Sequence, residues 1–139
     1  MLVQEIMSRD VVTISKDETA FDASIKYRDK KVGCLLVVDK DKCVGILTER
    51  DLIERVICEE REPKQTKVSE IMSKNLKTIH KLAKIEDAIR LMKMHNIKKL
   101  PVVSNDTLVG IVTITDISRA RPELSKRFID SWVKARWED

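Results

Sequence analysis

The sequence predicts an α/β fold made of two tandem copies of one β-α-β-β-α unit, followed by a C-terminal helix. The first observation is internal similarity: Val3–Ser8 matches Val68–Ser73 at an offset of 65 positions (68 − 3), and the register holds for about 50 residues without a gap. The second is that each copy alternates short apolar segments with a helical stretch. The third is size, because one copy alone has too little core to be stable. We therefore expect the copies to pack sheet to sheet as a pseudo-twofold pair, with a cleft on the axis.

The elements of the two repeats follow from apolar periodicity and turn residues. In the first copy we expect a strand at 11–14, a helix from about 17 to 30, strands at 34–38 and 44–48, and a helix that starts near Asp51 and continues over 53–62. In the second copy we expect a strand at 76–79, a helix from about 82 to 96, strands at 100–103 and 108–113, and a helix that starts near Asp116. The boundaries predicted from this pattern are repeat 1 over 1–62, repeat 2 over 63–118 and a C-terminal amphipathic helix over 119–139.

Composition argues against several classes of function. The three glycines, Gly33, Gly45 and Gly110, are too few and too isolated for a glycine-rich dinucleotide or phosphate loop. No stretch reaches the roughly 18 apolar residues of a membrane span, and no signal peptide is visible, so we expect a cytoplasmic protein. The net charge is only +4 with both signs interleaved, which argues against nucleic-acid and membrane partners.

Cysteine and histidine usage points away from catalysis and metals. The three cysteines have no metal-ligand spacing, and the two histidines lie far from them in the sequence. A cysteine–histidine pair formed only in the fold stays open, but no nucleophile constellation is recognisable. We expect no enzyme and no required cofactor.

Three motifs resemble the cystathionine-β-synthase (CBS) domain family. They are the opening Val-x-x-Ile-Met-Ser with its Thr-Ile, the Leu-Pro-Val-Val at Leu100–Val103, and the closing Val-Gly-Ile-x-Thr-x-x-Asp. All occur in both copies, apart from the proline, which copy one replaces with Leu36. The resemblance implies a CBS pair, frequently dimerised further, that binds an adenosine-containing ligand such as AMP, ADP, ATP or S-adenosylmethionine between its repeats.

The closing Thr-x-x-Asp carries a readable chemistry. A strand ends at the threonine and a helix starts near the aspartate, so unpaired N–H groups could face a phosphate while the carboxylate accepts hydrogen bonds from a ribose. By resemblance, Asp51 and Asp116 would hold the ribose, and Thr48 and Thr113 would contact ribose or phosphate. Backbone and apolar surface for adenine would come from two further pairs, Thr13 with Ile14 and Thr78 with Ile79.

The phosphate end differs between the copies. Thr113-Ile114-Thr115-Asp116 resembles the nucleotide-sensing gamma subunit of AMP-activated kinase, which implies contacts from Thr115 and a basic contact from Lys98. Copy one has Gly33 in place of Lys98, where Arg50 could compensate. We therefore expect unequal sites, with Asp116 the better candidate.

A structural alternative stays open for these residues. Threonine and aspartate at a helix start are also ordinary N-caps, each contributing about 1 kcal/mol. In that interpretation the protein is a structural dimerisation module without a ligand.

The C-terminal segment reads as an amphipathic helix with one broad apolar face. That face contains Leu124, Phe128, Ile129, Trp132, Val133 and Trp137. It could pack on its own pair, form a homodimer contact or dock another protein, and we favour the first two. A membrane-surface helix is disfavoured by the acidic residues of this segment.

Overall fold

The computed structural model describes residues 1–126, which form two compact units. The continuous unit is Asp10–Leu76. The split unit combines Met1–Arg9 with the chain from Lys77 onward. Each unit has a three-stranded sheet and helices of its own, as the tandem repeat predicts.

The continuous unit is built on the sheet β1-β2-β3. Strand β1 (Thr13–Ser15) runs parallel to β2 (Cys34–Asp39), and β2 is antiparallel to β3 (Lys42–Thr48). Helix α1 (Ala20–Lys30) connects the parallel strands, and α2 (Glu49–Leu52) follows β3. After a 3₁₀ turn at Pro63–Gln65 comes the short helix α3 (Val68–Ile71). The buried core of this unit is formed by Ile14, Ala20, Ala23, Leu35, Val37, Leu47, Val56, Val68, Ile71 and Met72.

The split unit repeats this order on the sheet β4-β5-β6. Strand β4 (Ile79–His80) is parallel to β5 (Lys99–Ser104), which is antiparallel to β6 (Thr107–Thr113). Helix α4 (Ile85–His95) connects the parallel strands, and α5 (Ile114–Ala120) and α6 (Pro122–Leu124) follow β6. Its core is formed by Val3, Met7, Ile79, Ile85, Ala88, Ile89, Met92, Leu100, Val102, Val112, Ile117 and Leu124.

Strand register confirms that the two units are copies of one design. Ile14 lies opposite Val37, and Ile79, its counterpart 65 positions on, lies opposite Val102. Both sheets also shift register at the same place, between Val37 and Val38 and between Val102 and Val103. A bulge at matching positions is a feature of the repeat rather than a local accident.

Helix ends depart from the sequence prediction for local reasons. Helix α1 begins at Ala20 rather than near position 17, because Thr19 is its N-cap and accepts a hydrogen bond from the Asp22 N–H. The helix predicted over 53–62 is wrong in its second half. Residues Ile53–Ile57 form a π-helical turn, and Glu60 adopts a left-handed conformation (φ 54°) that ends it.

The opening segment of each repeat packs in the unit of the other repeat. In the split unit the Val3 N–H donates to the Ala83 carbonyl, and Ser8 exchanges two backbone hydrogen bonds with Ile111. In the continuous unit Ser73 makes the same exchange with Ile46. Each unit thus joins the body of one repeat to the opening motif of the other.

The two strand glycines allow this backbone approach. A Cβ on Gly110 would lie 2.7 Å from the Ser8 carbonyl oxygen, and one on Gly45 would lie 3.0 Å from that of Ser73. At Gly110 any side chain would collide with backbone, and at Gly45 it would lie in tight contact with backbone.

At the C-terminus, the described residues include only the start of the predicted amphipathic helix. Pro122 stands at the first position of α6, and Leu124 is buried in the core of the split unit. The rest of the predicted apolar face, Phe128, Ile129, Trp132, Val133 and Trp137, lies outside the described residues.

Candidate ligand-binding site

Each unit carries a Thr-x-x-Asp turn where its last strand meets a helix. Thr113 is the N-cap of α5: its hydroxyl accepts from the Asp116 N–H at 3.1 Å, and Asp116 Oδ2 accepts from the Thr113 N–H at 2.9 Å. Thr48 and Asp51 repeat this reciprocal pair at 3.3 and 2.9 Å. The capping role considered from the sequence is therefore present in both units.

Capping leaves much of the carboxylate unused. An ionised aspartate offers about four lone-pair positions, and the cap occupies one of them. Asp116 is partly exposed, so its remaining acceptor positions are open to a ligand. The same side chain can cap α5 and accept hydrogen bonds from a ribose.

The start of α5 offers fewer N–H groups than the sequence implies. The Ile114 N–H donates to the Lys98 carbonyl at 3.0 Å, and the Asp116 N–H donates to Thr113. Two of the first three N–H groups are thus engaged within the protein. Positive charge for an anionic ligand therefore has to come mainly from side chains. The bond from the Ile114 N–H holds Lys98, the residue before β5, next to the start of α5.

A pocket of about 190 Å³ opens beside Asp116. It is lined by Ile6, Asp116, Arg119 and Ala120, which all belong to the split unit. The pocket thus combines an apolar wall, a carboxylate and a guanidinium. It is smaller than the roughly 300–1,000 Å³ of pockets that enclose a whole drug-sized ligand, so it fits one part of such a molecule.

The corresponding corner of the continuous unit carries Arg55, the counterpart of Ala120 (120 − 55 = 65), and 47% of the Arg55 side-chain surface is exposed. Arg55 Nη1 donates to the carbonyl oxygens of Ile71 and Met72 at 2.8 and 3.2 Å. Its Nε lies 3.8 Å from Asp51 Oδ1. The Asp51 side chain keeps only 12% of its surface exposed.

Arg50 and Thr115 occupy equivalent positions and are both exposed. Arg50 Nε donates to Glu54 Oε1 at 2.8 Å. Arg50, the expected substitute for a basic residue at Gly33, is therefore paired with an acid on its own helical face. In the split unit the counterpart of Glu54 is Arg119, so the local charge is reversed.

The residues expected to face adenine lie deeper than predicted. Ile14 is 1% exposed and Ile79 is 8% exposed, so both side chains belong to the cores of their units. The Thr13 carbonyl accepts from Lys26 Nζ at 2.6 Å. The counterpart of Lys26 is Leu91, which has no donor, and Thr78 is exposed just before β4. The Thr13 carbonyl is thus engaged within its unit, whereas Thr78 is exposed.

Sequence reasoning missed four residues that shape these corners: Ile6, Arg55, Arg119 and Ala120. The repeat offset held a usable signal, because it aligns the large, charged Arg55 with the small Ala120, four positions after the aspartate of the shared Thr-x-x-Asp motif. What it could not show is that the Arg55 side chain turns back onto the Ile71 and Met72 carbonyls.

Burial argues against two reactive groups near the first sheet. Burial raises the pKa of the Cys43 thiol, which disfavours the nucleophilic thiolate. Burial also raises the pKa of Tyr27, whose hydroxyl donates to the Leu47 carbonyl. Within residues 1–126 no three His, Cys, Asp or Glu side chains are grouped so as to hold a metal ion. In the same range no helix has the length and apolarity needed to cross a bilayer.

Comparison with known proteins decides the family. Residues 3–57 and 68–123 each match the profile of the CBS domain, one match per repeat and most of the chain in total. The chain belongs to the CBS domain family. The fold and the resemblance predicted from the sequence are thereby confirmed.

This CBS pair has relatives of similar layout. It is 37% identical over 124 residues to an uncharacterized protein of Methanopyrus kandleri, an alignment that covers 88% of this chain and 63% of the relative. The chain thus spans less than two thirds of that relative's length. It is 36% identical over 116 residues to the CBS domain-containing protein YhcV of Bacillus subtilis, covering 84% of this chain and 82% of the relative.

Solved structures confirm the CBS-pair architecture. The CBS domain pair of protein MJ0100, in complex with 5′-methylthioadenosine and S-adenosyl-L-methionine, is 30% identical with a TM-score of 0.76, covering 88% of this chain and 97% of that one. A hexameric CBS-CP12 protein from bloom-forming cyanobacteria is 32% identical with a TM-score of 0.75, covering 100% of this chain and 83% of that one.

Proposed function

We propose that this CBS pair is a regulatory module, without catalysis of its own, that binds an adenosine-containing ligand of the AMP, ADP, ATP or S-adenosylmethionine type. The observation that carries the proposal is the corner around Asp116. There a partly exposed carboxylate borders a pocket that also contains Arg119.

The chemistry of this corner fits a ribose with a charged extension. The open lone pairs of Asp116 suit a vicinal diol, since a carboxylate accepts from both hydroxyls. Arg119 suits a phosphate or a carboxylate next to the sugar, because its guanidinium donates in a planar fork. The pocket volume of about 190 Å³ fits the sugar rather than a whole nucleotide, so base and phosphate would extend beyond it.

Regulation follows from differential affinity. A ligand that binds one conformation of the pair more tightly than another shifts the population toward that conformation, and a protein partner that distinguishes the two reads the shift. We further propose that the chain acts in trans on such a partner, as a cytoplasmic homodimer. Assembly of the related hexameric CBS-CP12 protein supports self-association, and the ligands of the MJ0100 CBS pair support the ligand class.

A thermal-shift panel on the purified chain tests the proposal. The probes are AMP, ADP, ATP, S-adenosylmethionine and 5′-methylthioadenosine at millimolar concentration. At least one should raise the Tm, because a ligand at about 100 times its Kd stabilises the folded state by about 2.7 kcal/mol. The variant Asp116→Asn should lose most of that rise while keeping the capping box, since the asparagine side-chain oxygen can still accept from the Thr113 N–H.

Asp22→Asn is the matched control. Asp22 accepts from the Thr19 N–H at 3.0 Å in the capping box of α1, so the variant removes the same charge from the same position of a capping box, at a place with no proposed ligand. It should leave the ligand-induced rise intact. If no probe raises the Tm, the ligand-free structural module is the better interpretation and the proposal is wrong.

A further inference from the structure

We infer that Arg55 closes the Asp51 corner, so that the chain binds its ligand at Asp116 alone, in a stoichiometry of one per chain. This inference rests on the proposed function of the Thr-x-x-Asp corners and adds which of the two is used. It also assigns the residue that makes the difference.

Arg55 is held at three points within the continuous unit. Its Nη1 donates to the last backbone carbonyl of α3, at Ile71, and to the next one, at Met72. Its Nε faces Asp51 Oδ1 at 3.8 Å. The guanidinium therefore lies beside the carboxylate oxygen that the helix cap leaves unused, while 47% of the Arg55 side chain stays exposed.

Placing a ribose against Asp51 requires the guanidinium to move. The two carbonyl oxygens would lose a charged donor, and such charge-assisted bonds are the strong ones. The ligand must then offset this loss before it gains any contact of its own. We expect the Asp51 corner to bind at least about tenfold more weakly than the Asp116 corner, which is about 1.4 kcal/mol.

Ala120 leaves the same place open in the split unit. A methyl group cannot reach the carbonyls of Ile6 and Met7, the counterparts of Ile71 and Met72. The observed result is the pocket between Ile6 and α5. The single change from arginine to alanine at equivalent positions accounts for one covered carboxylate and one accessible carboxylate.

Two neighbouring contacts act in the same direction. Arg50 is paired with Glu54, whereas the split unit has Thr115 and Arg119 at these positions. Lys26 takes the Thr13 carbonyl, whereas the split unit has Leu91 at the position of Lys26. Arg50 and Lys26 thus have partners within the continuous unit, and the Asp116 corner has Arg119 in its pocket.

Carboxylate labelling tests the closure without any ligand. A water-soluble carbodiimide with glycinamide converts accessible carboxylates to amides, and peptide mass spectrometry gives the rate at each aspartate. In the full chain Asp116 should react faster than Asp51. Arg55→Ala should raise the Asp51 rate and leave Asp116 unchanged, while Ala120→Arg should lower the Asp116 rate. Arg28→Ala removes an exposed arginine of the same unit, paired with Asp29, and should change neither.

Titration calorimetry with AMP and with S-adenosylmethionine tests the stoichiometry. The unmodified chain should bind one equivalent of whichever probe it accepts, Arg55→Ala should bind two, and adding Asp51→Asn should return it to one. Ala120→Arg should weaken binding by at least about tenfold. Circular dichroism checks that each variant is folded. If Arg55→Ala does not fold, Ala120→Arg still tests the inference.

The outcomes separate the two claims. Equal labelling of Asp51 and Asp116 in the unmodified chain, or two bound equivalents, would overturn the inference. Unequal labelling, with no binding of AMP or S-adenosylmethionine to the unmodified chain or to Arg55→Ala and no rise in Tm from any of the five probes, would refute the proposed function and the single-site claim, and would support only the closure by Arg55.

Discussion

The continuous and split units have the same sheet order, the same register and the same Thr-x-x-Asp cap, yet they differ at the corner that these features build. In the continuous unit Arg55 bonds to the Ile71 and Met72 carbonyls and lies beside Asp51. In the split unit Ala120 leaves a pocket beside Asp116. The comparison teaches that duplication preserves a backbone scaffold while side chains at equivalent positions, Arg55 and Ala120, give its two aspartates different surroundings.

The largest difference in stability should come from the isoleucine of the opening motif. Ile71 is fully buried in the continuous unit, whereas its counterpart Ile6 is partly exposed at the pocket of the split unit. Ile71→Ala should lower the free energy of unfolding by about 3 kcal/mol, and Ile6→Ala by roughly half of that or less. Urea unfolding measures both. Equal losses would show that the two corners are packed alike and would break the comparison.

The strand glycines should give the next largest effect. A Cβ on Gly110 would meet the Ser8 carbonyl oxygen at 2.7 Å, which is backbone and cannot turn away. On Gly45 the closest atom, at 2.6 Å, is the Met72 sulfur of a flexible side chain. Gly110→Ala should cost about 2–3 kcal/mol and Gly45→Ala about 1 kcal/mol, within the range for overpacking. Thermal unfolding of the two variants side by side gives the order, and a reversed order would contradict this explanation.

Helix capping distinguishes the units by a smaller amount. Thr19 caps α1, but its counterpart Lys84 gives α4 no side-chain cap. Thr19→Ala should cost about 1 kcal/mol. Lys84→Thr should stabilise the chain by up to about that amount, because Asp87 already stands where a capping box needs an acid. Lys81→Thr, in the turn ahead of α4, controls for the loss of a lysine and should change little.

The smallest effect should be a pH dependence at the α1 cap. Hydrogen bonds from Thr19 lower the pKa of Asp22 below its usual 3.8. The folded state therefore favours the ionised carboxylate, and this stabilisation is present above pH 3.8 and is lost as the pH falls through the lowered pKa. Urea unfolding at about pH 5 and about pH 3 should show a smaller loss of stability for Asp22→Asn than for the unmodified chain. Identical losses would mean that the cap does not depend on the charge.

Much of the fold could be predicted from the sequence because the same pattern of strands and helices occurs in both repeats. The buried positions of α4, Ile85, Ala88, Ile89 and Met92, have the helical spacing that predicts this helix. Helix ends were less accurate, since the start of α1 depends on the cap at Thr19 and the end near Glu60 depends on a left-handed residue. The hydrogen bonds that end a helix differ little in energy from those that would continue it. They also do not change the spacing of apolar residues, so the sequence pattern does not show where the helix ends.

The sequence by itself determined the family, the repeat and the order of strands and helices. It also determined the aspartate that ends each of the two Thr-x-x-Asp motifs. Only the tertiary structure decided that the opening motif of each repeat packs in the unit of the other, that Ile14 and Ile79 lie in the cores, and that Arg55 bonds to the Ile71 and Met72 carbonyls beside Asp51. The physical reason is the distance along the sequence between the interacting residues. Periodicity and caps involve residues three or four apart, whereas Arg55 reaches carbonyls 16 and 17 positions away, and only the folded chain brings these together.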